Sequence, residues 1–160
     1  MVRINFVCLG NICRSPTAEG VMCHLLEQEG LSDKFEIDSS GTAAYHAGER
    51  ADKRSRATAK ARGVSLDSIS RQVKQTDFQR FDYVIAMDQS NFDQLYSLAA
   101  NDAERAKVHM FRSYDPASPD GADVPDPYYG GPSGFDDVFD ICEAAAIGLL
   151  EHLRRERVIP

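Results

Sequence analysis

The stretch Arg3-Ile4-Asn5-Phe6-Val7-Cys8-Leu9-Gly10-Asn11-Ile12-Cys13-Arg14-Ser15-Pro16 decides the fold. Residues 3–8 carry β-type apolar side chains (Ile4, Phe6, Val7) and read as a short buried strand. Leu9 to Arg14 is a tight polar connection. Ser15-Pro16 reads as a helix start, with Ser15 as N-cap and Pro16 at the first helical position. Ala18, Val21, Met22, Leu25 and Leu26 then recur at helical spacing, and Gly30 is placed to end the helix. The opening is strand, loop, helix.

The alternation continues outward. Phe35 to Ser39 is a second strand, closed by the turn-prone Ser40-Gly41-Thr42, and Asp52 to Arg62 is a polar helix with Asp52 as cap and Gly63 as stop. Tyr83 to Met87 and Val108 to Phe111 are the third and fourth strands. Between them Ser90 to Ala99 is a helix with Phe92, Leu95 and Leu98 on one side. Phe135 to Arg155 is the last helix, striped by Phe135, Val138, Phe139, Cys142, Ala145, Ala146, Leu149, Leu150 and Leu153. Such alternation predicts parallel βαβ units and an open sheet covered on both faces. Right-handed crossovers place the loops after the strands on one edge, where ligands bind. No repeat or linker divides the chain. The stretch 112–134, rich in Pro, Gly and Asp, is longer than ordinary connections, as functional loops often are.

The 160 residues are one domain's worth, with 42% apolar and 27% charged residues, an ordinary globular composition. A net charge of −7 argues against a nucleic-acid partner. No apolar run approaches the ~20 residues of a membrane helix, and Arg3 and Asn5 interrupt any signal-peptide pattern. The expected address is therefore the cytoplasm, without membrane insertion. There Cys8, Cys13, Cys23 and Cys142 are thiols rather than a disulfide framework. His24, His46, His109 and His152 show no metal spacing, and no cofactor is expected.

The loop from Cys8 to Ser15 concentrates the chemistry. Successive backbone N–H groups in a strand-to-helix turn form an anion nest, and the helix dipole adds a field of the same sense. Gly10 permits backbone geometry that a Cβ would block, and Arg14 can fork two N–H groups onto two oxygens of a phosphate. The same field favours an ionised, nucleophilic Cys8. The plainer alternatives are an inert cysteine ending a buried strand, or half of a metal clip with Cys13, which lacks further ligands nearby.

Val7-Cys8-Leu9-Gly10-Asn11-Ile12-Cys13-Arg14-Ser15-Pro16 resembles the C-x5-R-[ST] signature of the low-molecular-weight protein-tyrosine phosphatases, and Asp126-Pro127-Tyr128-Tyr129-Gly130 resembles their acid-loop motif. Asp38-Ser39 and Phe81-Asp82-Tyr83 fit the same pattern, and the resemblance spans nearly the whole chain. It implies a single phosphatase domain over residues 1–160, with a four-stranded parallel sheet in the order 2-1-3-4 and helices on both faces. It implies metal-independent hydrolysis of phosphotyrosine in proteins. Cys8 attacks phosphorus, and Arg14 with the backbone from Leu9 through Gly10, Asn11, Ile12 and Cys13 to Ser15 holds the oxyanion, inorganic phosphate included. Asp126 protonates the leaving phenolate and then activates water. Asp120, Asp123, Asp136 and Asp137 are nearby acids, but only Asp126 precedes Pro-Tyr-Tyr; its alternative is a turn-former.

Further roles follow from the resemblance. Ser15 donates to the Cys8 sulfur while also capping the helix. Asn11 fixes the loop with Ser39 as partner, or else serves only as a left-handed turn residue. Tyr128 and Tyr129 wall the substrate ring, with Tyr45 where the family often has another aromatic, commonly Trp. Ser68 stands where some members carry His behind the loop. Ile12 stands where relatives selective for phosphoarginine carry Thr, which favours phosphotyrosine. Cys13 is either a redox partner for Cys8 or a buried filler. Cys23 and Cys142 lie on apolar helix stripes and read as core. Arg50, Lys53, Arg54, Arg56, Lys60 and Arg62 either guide an acidic phosphoprotein or form a solvated helix face. Rival functions are an arsenate reductase, which would need resolving thiols absent between Cys23 and Cys142; a phosphopeptide-binding module; and a phosphocysteine carrier. The last two have no use for Asp126.

Overall fold

Strand β1 (Val2–Cys8) is buried on both faces, as its unbroken apolar run requires of a central parallel strand. The computed structural model describes residues 1–128, 130–131 and 133–160. In chain order β1 is followed by α1 (Arg14–Gln28), β2 (Phe35–Gly41), α2 (Lys53–Ala61), α3 (Asp77–Arg80), β3 (Tyr83–Ala86), α4 (Gln89–Leu98), α5 (Asp102–Arg105), β4 (Val108–Met110) and α6 (Ser133–Arg155). Single 3-10 turns occupy Ser32–Lys34 and Phe111–Tyr114. The four strands form one parallel sheet in the order β2-β1-β3-β4.

Alternation along β1 sorts its side chains between two layers. Ile4, Phe6 and Cys8, with Ile85 and Met87, belong to the core shared with α1 and α6. Val7, Val84 and Ala86 belong to the core shared with Phe78 of α3 and Leu95 of α4. The Phe6 and Phe111 rings meet edge to face, 5.0 Å between centroids. Asn5 is fully buried in β1 and is satisfied by donating to Ser40 Oγ on β2 at 3.0 Å. The register pairs Cys8 with Gly41, so both strands end at one edge.

Both glycine stops hold. At Gly30 (φ +69°) the Leu31 N–H reaches the Leu26 carbonyl and the Gly30 N–H reaches that of Glu27. Gly63 (φ +79°) ends α2 with the same pair of bonds, to Ala59 and Lys60. Asp52 caps α2 by accepting from the Arg54 N–H. The 112–134 stretch is tied to the sheet, because buried Val124 donates its N–H to the Met87 carbonyl at 2.7 Å.

Several expectations are corrected. α1 starts at Arg14 with Cys13 at the N-cap position, and Ser15 does not cap it, because its hydroxyl is engaged inside the loop. β2 runs on through Ser40 and Gly41, since those residues pair with Val7 and Cys8. β3 stops at Ala86, and β4 gives way at Phe111 to a 3-10 turn. Cys142 is core, but Cys23 is exposed: it lies beside Met22 in sequence yet rotated off the buried stripe of α1. Leu98, at the last turn of α4, is also exposed.

Candidate active site

β1 ends at Cys8 and α1 begins at Arg14, so residues 9–13 must close the gap in one turn. Asn11 makes the turn with φ +57°, a left-handed conformation that Asn tolerates better than most side chains. Carbonyls of the loop point outward to fixed donors: Cys8 accepts from the Thr42 N–H, Leu9 from Ala43, Gly10 from Ser70 Oγ and Ile12 from Asp52. Among the described residues the N–H groups of Leu9, Gly10, Ile12, Cys13, Arg14 and Ser15 have no protein acceptor. That is the anion nest expected of such a turn.

The sulfur of Cys8 lies within this ring. The Asn11 N–H donates to it at 3.3 Å, and the Ser15 hydroxyl lies 3.0 Å from it. Asn11 braces the arrangement from behind. Its Nδ2 donates to Ser15 Oγ at 2.8 Å and to Ser39 Oγ at 3.0 Å, and its Oδ1 accepts from the Arg71 N–H. Both readings of Asn11 therefore hold together. Ser39 in turn donates to Glu19 at 2.6 Å, and burial pushes the Glu19 carboxyl up to about 7. Ser68 has a buried hydroxyl without a partner among the described residues, and the brace behind Asn11 runs through Ser39 and Glu19.

Arg14 is 3% exposed, and its direction is fixed. Nη1 donates to Asp88 Oδ2 at 2.6 Å and to the Val124 carbonyl at 3.1 Å, while Nη2 lies 3.6 Å from Asp126 Oδ2. Burial works against its charge, but Cys8, Asp88 and Asp126 outweigh that and hold the guanidinium ionised, its pKa raised. Asp126 keeps one oxygen toward Arg14, and its other oxygen accepts from the Tyr128 N–H, so the turn-forming role coexists with placement at the cavity. Burial, reinforced by Asp52, pushes the Cys13 thiol up to about 12, so Cys13 is a neutral thiol beside Cys8.

Cys8, Leu9, Gly10, Ile12, Cys13, Arg14, Tyr45, His46, Asp126 and Tyr128 line one cavity of about 320 Å³. Ile12 packs with Cys13, Phe135 and Tyr128. Tyr128 lies under the Arg54 guanidinium, 5.2 Å from its ring centre, and Arg54 also donates to the Tyr128 carbonyl. Tyr45 is exposed at the rim. Tyr129 lies outside the described residues. Asn11, Ser15 and Ser39 stand behind the loop rather than in the cavity. Among the described residues no three His, Cys, Asp or Glu side chains cluster to hold a metal.

Sequence reasoning missed several contributors. Asp88 directly precedes α4, where an Asp is a good cap, and it accepts from the Asn91 N–H there, but nothing in the local sequence links it to Arg14. His46 adjoins Tyr45 and touches the position a Gly10 side chain would take, and Gly41 must lack a Cβ because one would lie 2.6 Å from the Leu9 carbonyl oxygen. Both depend on contacts between distant segments.

The family model described as low molecular weight phosphotyrosine protein phosphatase matches residues 3–159. A low molecular weight protein-tyrosine-phosphatase from Streptomyces coelicolor is 46% identical over 155 residues, covering 96% of this chain and 94% of that protein. A low molecular weight phosphotyrosine protein phosphatase from Schizosaccharomyces pombe is 44% identical over 140 residues, covering 86% and 88%. A crystal structure of protein tyrosine phosphatase from Entamoeba histolytica, with Hepes in its active site, superposes with a TM-score of 0.93 at 41% identity, covering 98% of this chain and 99% of that one.

Proposed function

The chain belongs to the low molecular weight phosphotyrosine protein phosphatases, metal-independent hydrolases that work through a phosphocysteine, and we propose that Cys8 is the residue that carries the phosphate. The observation that carries this assignment is the Cys8 sulfur, held by the Asn11 N–H and the Ser15 hydroxyl inside a ring of unclaimed amides beside the fixed Arg14 guanidinium.

In the first step the Cys8 thiolate attacks phosphorus in line, the S–P bond forms and the P–O bond to the phenol breaks. The Asp126 carboxyl gives its proton to the departing oxygen, a contribution worth ~10²–10⁴-fold. The loop N–H groups and Arg14 hold the equatorial oxygens, where positioning and charge neutralisation dominate phosphoryl transfer. In the second step water attacks phosphorus, Asp126 takes its proton, and the S–P bond breaks to release inorganic phosphate. Ser15 then donates to the departing thiolate.

The substrate is a phosphotyrosine in a protein, its ring walled by Tyr128 and Tyr45 and resting against Ile12. Residues 1–160 act as one phosphatase domain. The reaction needs Cys8 reduced, and the cytoplasm is the compartment we assign. Rapid-quench mass spectrometry during aryl phosphate turnover tests the assignment. Phosphate on a Cys8 peptide is expected; phosphate on any other residue, or steady turnover with Cys8→Ser, overturns it.

A further inference from the structure

The chain is acidic overall, yet one side of the active-site mouth is not. Of the six cations between Arg50 and Arg62, two are occupied. Arg54 pairs with Asp52 and covers Tyr128 and Phe135, and Arg62 pairs with Asp136 and Asp140 while covering Phe139. Arg50, Lys53, Arg56 and Lys60 have no carboxylate partner among the described residues. In a protein of net charge −7, a solvated helix face would be expected to draw acids from its own surface.

These four cations, of which Arg56 donates through Nε to the Ala51 carbonyl but meets no carboxylate among the described residues, line a groove continuous with the reaction cavity. A cleft of about 430 Å³ shares Ile12, His46 and Tyr128 with that cavity and adds Arg50, Lys53 and Arg56. A second cleft of about 470 Å³ shares Arg50 and Arg56 with the first and adds Lys60. The carboxylates along the groove are already engaged: Glu49 with His46 at 2.9 Å, Asp52 with Arg54, and Asp67 with the Ser65 hydroxyl at 2.8 Å.

We propose that this groove, from His46 to Arg50, Arg56 and Lys60, binds acidic side chains flanking the phosphotyrosine, making acidic phosphopeptides the preferred substrates. The inference rests on the phosphatase reading and deepens it. The phosphate end of the peptide is fixed in the loop, so flanking carboxylates meet the cations as an intramolecular event at high effective concentration. Each such exposed pair is worth up to about fivefold in affinity. The preference appears in KM rather than kcat, because these contacts do not change at the reacting bond.

The test uses two phosphotyrosine peptides that differ only in Asp/Glu against Asn/Gln at the flanks, with p-nitrophenyl phosphate as a substrate too small to reach the groove. The wild-type enzyme is expected to prefer the acidic peptide about fivefold or more in kcat/KM, through KM, and to lose that preference as salt is raised about tenfold. The Arg50→Ala/Arg56→Gln/Lys60→Ala variant is expected to bring the ratio near one, with p-nitrophenyl phosphate hydrolysis unchanged. Lys60→Glu, a single exposed change, is expected to lower the ratio alone if the triple variant does not fold. A wild-type ratio within twofold, or a ratio untouched by the variants, overturns the inference while leaving the phosphatase reading standing. No hydrolysis of p-nitrophenyl phosphate by the wild type overturns both.

Discussion

Asp88 Oδ2 accepts from Arg14 Nη1 at 2.6 Å, and the other oxygen of the same carboxylate caps α4 through the Asn91 N–H. One side chain thus anchors a helix and aims the guanidinium of the phosphate loop. Asp88→Asn keeps its one oxygen for the Asn91 N–H cap and turns an NH2 donor toward the Arg14 guanidinium, which loses both the charge and the acceptor. Its melting temperature should fall less than that of Asp88→Ala, while kcat/KM for aryl phosphate falls roughly tenfold. Asp88→Ala should lose ~0.5–2 kcal/mol from the cap, more from the unpaired buried guanidinium, and ~10²-fold in rate from misaimed Arg14. Equal activity in all three proteins would show that Arg14 needs no aim.

Asp126 stands 3.6 Å from Arg14 at the cavity. Asp126→Ala should slow p-nitrophenyl phosphate hydrolysis by ~10²–10⁴. The loss should shrink for aryl phosphates with more acidic phenols, whose departure needs less proton donation. A uniform loss across leaving groups would assign Asp126 to positioning alone.

Glu19, raised to about 7 chiefly by burial, makes stability depend on pH. The unfolded chain releases this proton near pH 4.5. The folded chain keeps it up to about 7, so the folded state binds more protons in between. Glu19 therefore lowers stability as pH rises from about 4.5 to 7 and imposes a constant penalty above that. Glu19→Gln retains an acceptor for Ser39 and removes the titration. It should match wild type in denaturant melts at pH 4 and exceed it at pH 8; a constant difference across that range would refute the assignment.

Two glycines separate loop placement from packing. A Cβ on Gly41 would lie 2.6 Å from the Leu9 carbonyl oxygen, and one on Gly148 would strike the Tyr114 carbonyl, where α6 crosses the 3-10 turn. Gly41→Ala and Gly148→Ala should each cost ~1–3 kcal/mol by overpacking. Only Gly41→Ala should also weaken vanadate inhibition, because it shifts the loop that cradles the oxyanion. Equal vanadate affinities would place the Gly41 strain away from the nest.

Local order along the chain was enough to identify the strand Cys8 ends, the turn to Arg14, the glycine stops at Gly30 and Gly63, the Asp52 cap and the long stripe of α6, because each depends on residues within a turn or two of one another. Most residues lining the reaction cavity crowd into positions 8–14 and 126–128 and were legible there; Tyr45 was expected only from the family resemblance, and His46 was not expected at all. Local order misled on Ser15: its place before Pro16 suggests a cap, which the folded helix does not use, while its contact with Cys8, expected from the family resemblance, is made as the loop folds back on β1. What tertiary structure alone decided are the bonds between distant segments: Asp88 to Arg14, 74 residues apart; Val124 to Arg14, 110 apart; and Arg71 to Asn11, 60 apart. A side chain's type states that it will seek a partner when buried, but which distant partner it meets is set by strand order and register, and those are fixed by packing the whole core at once.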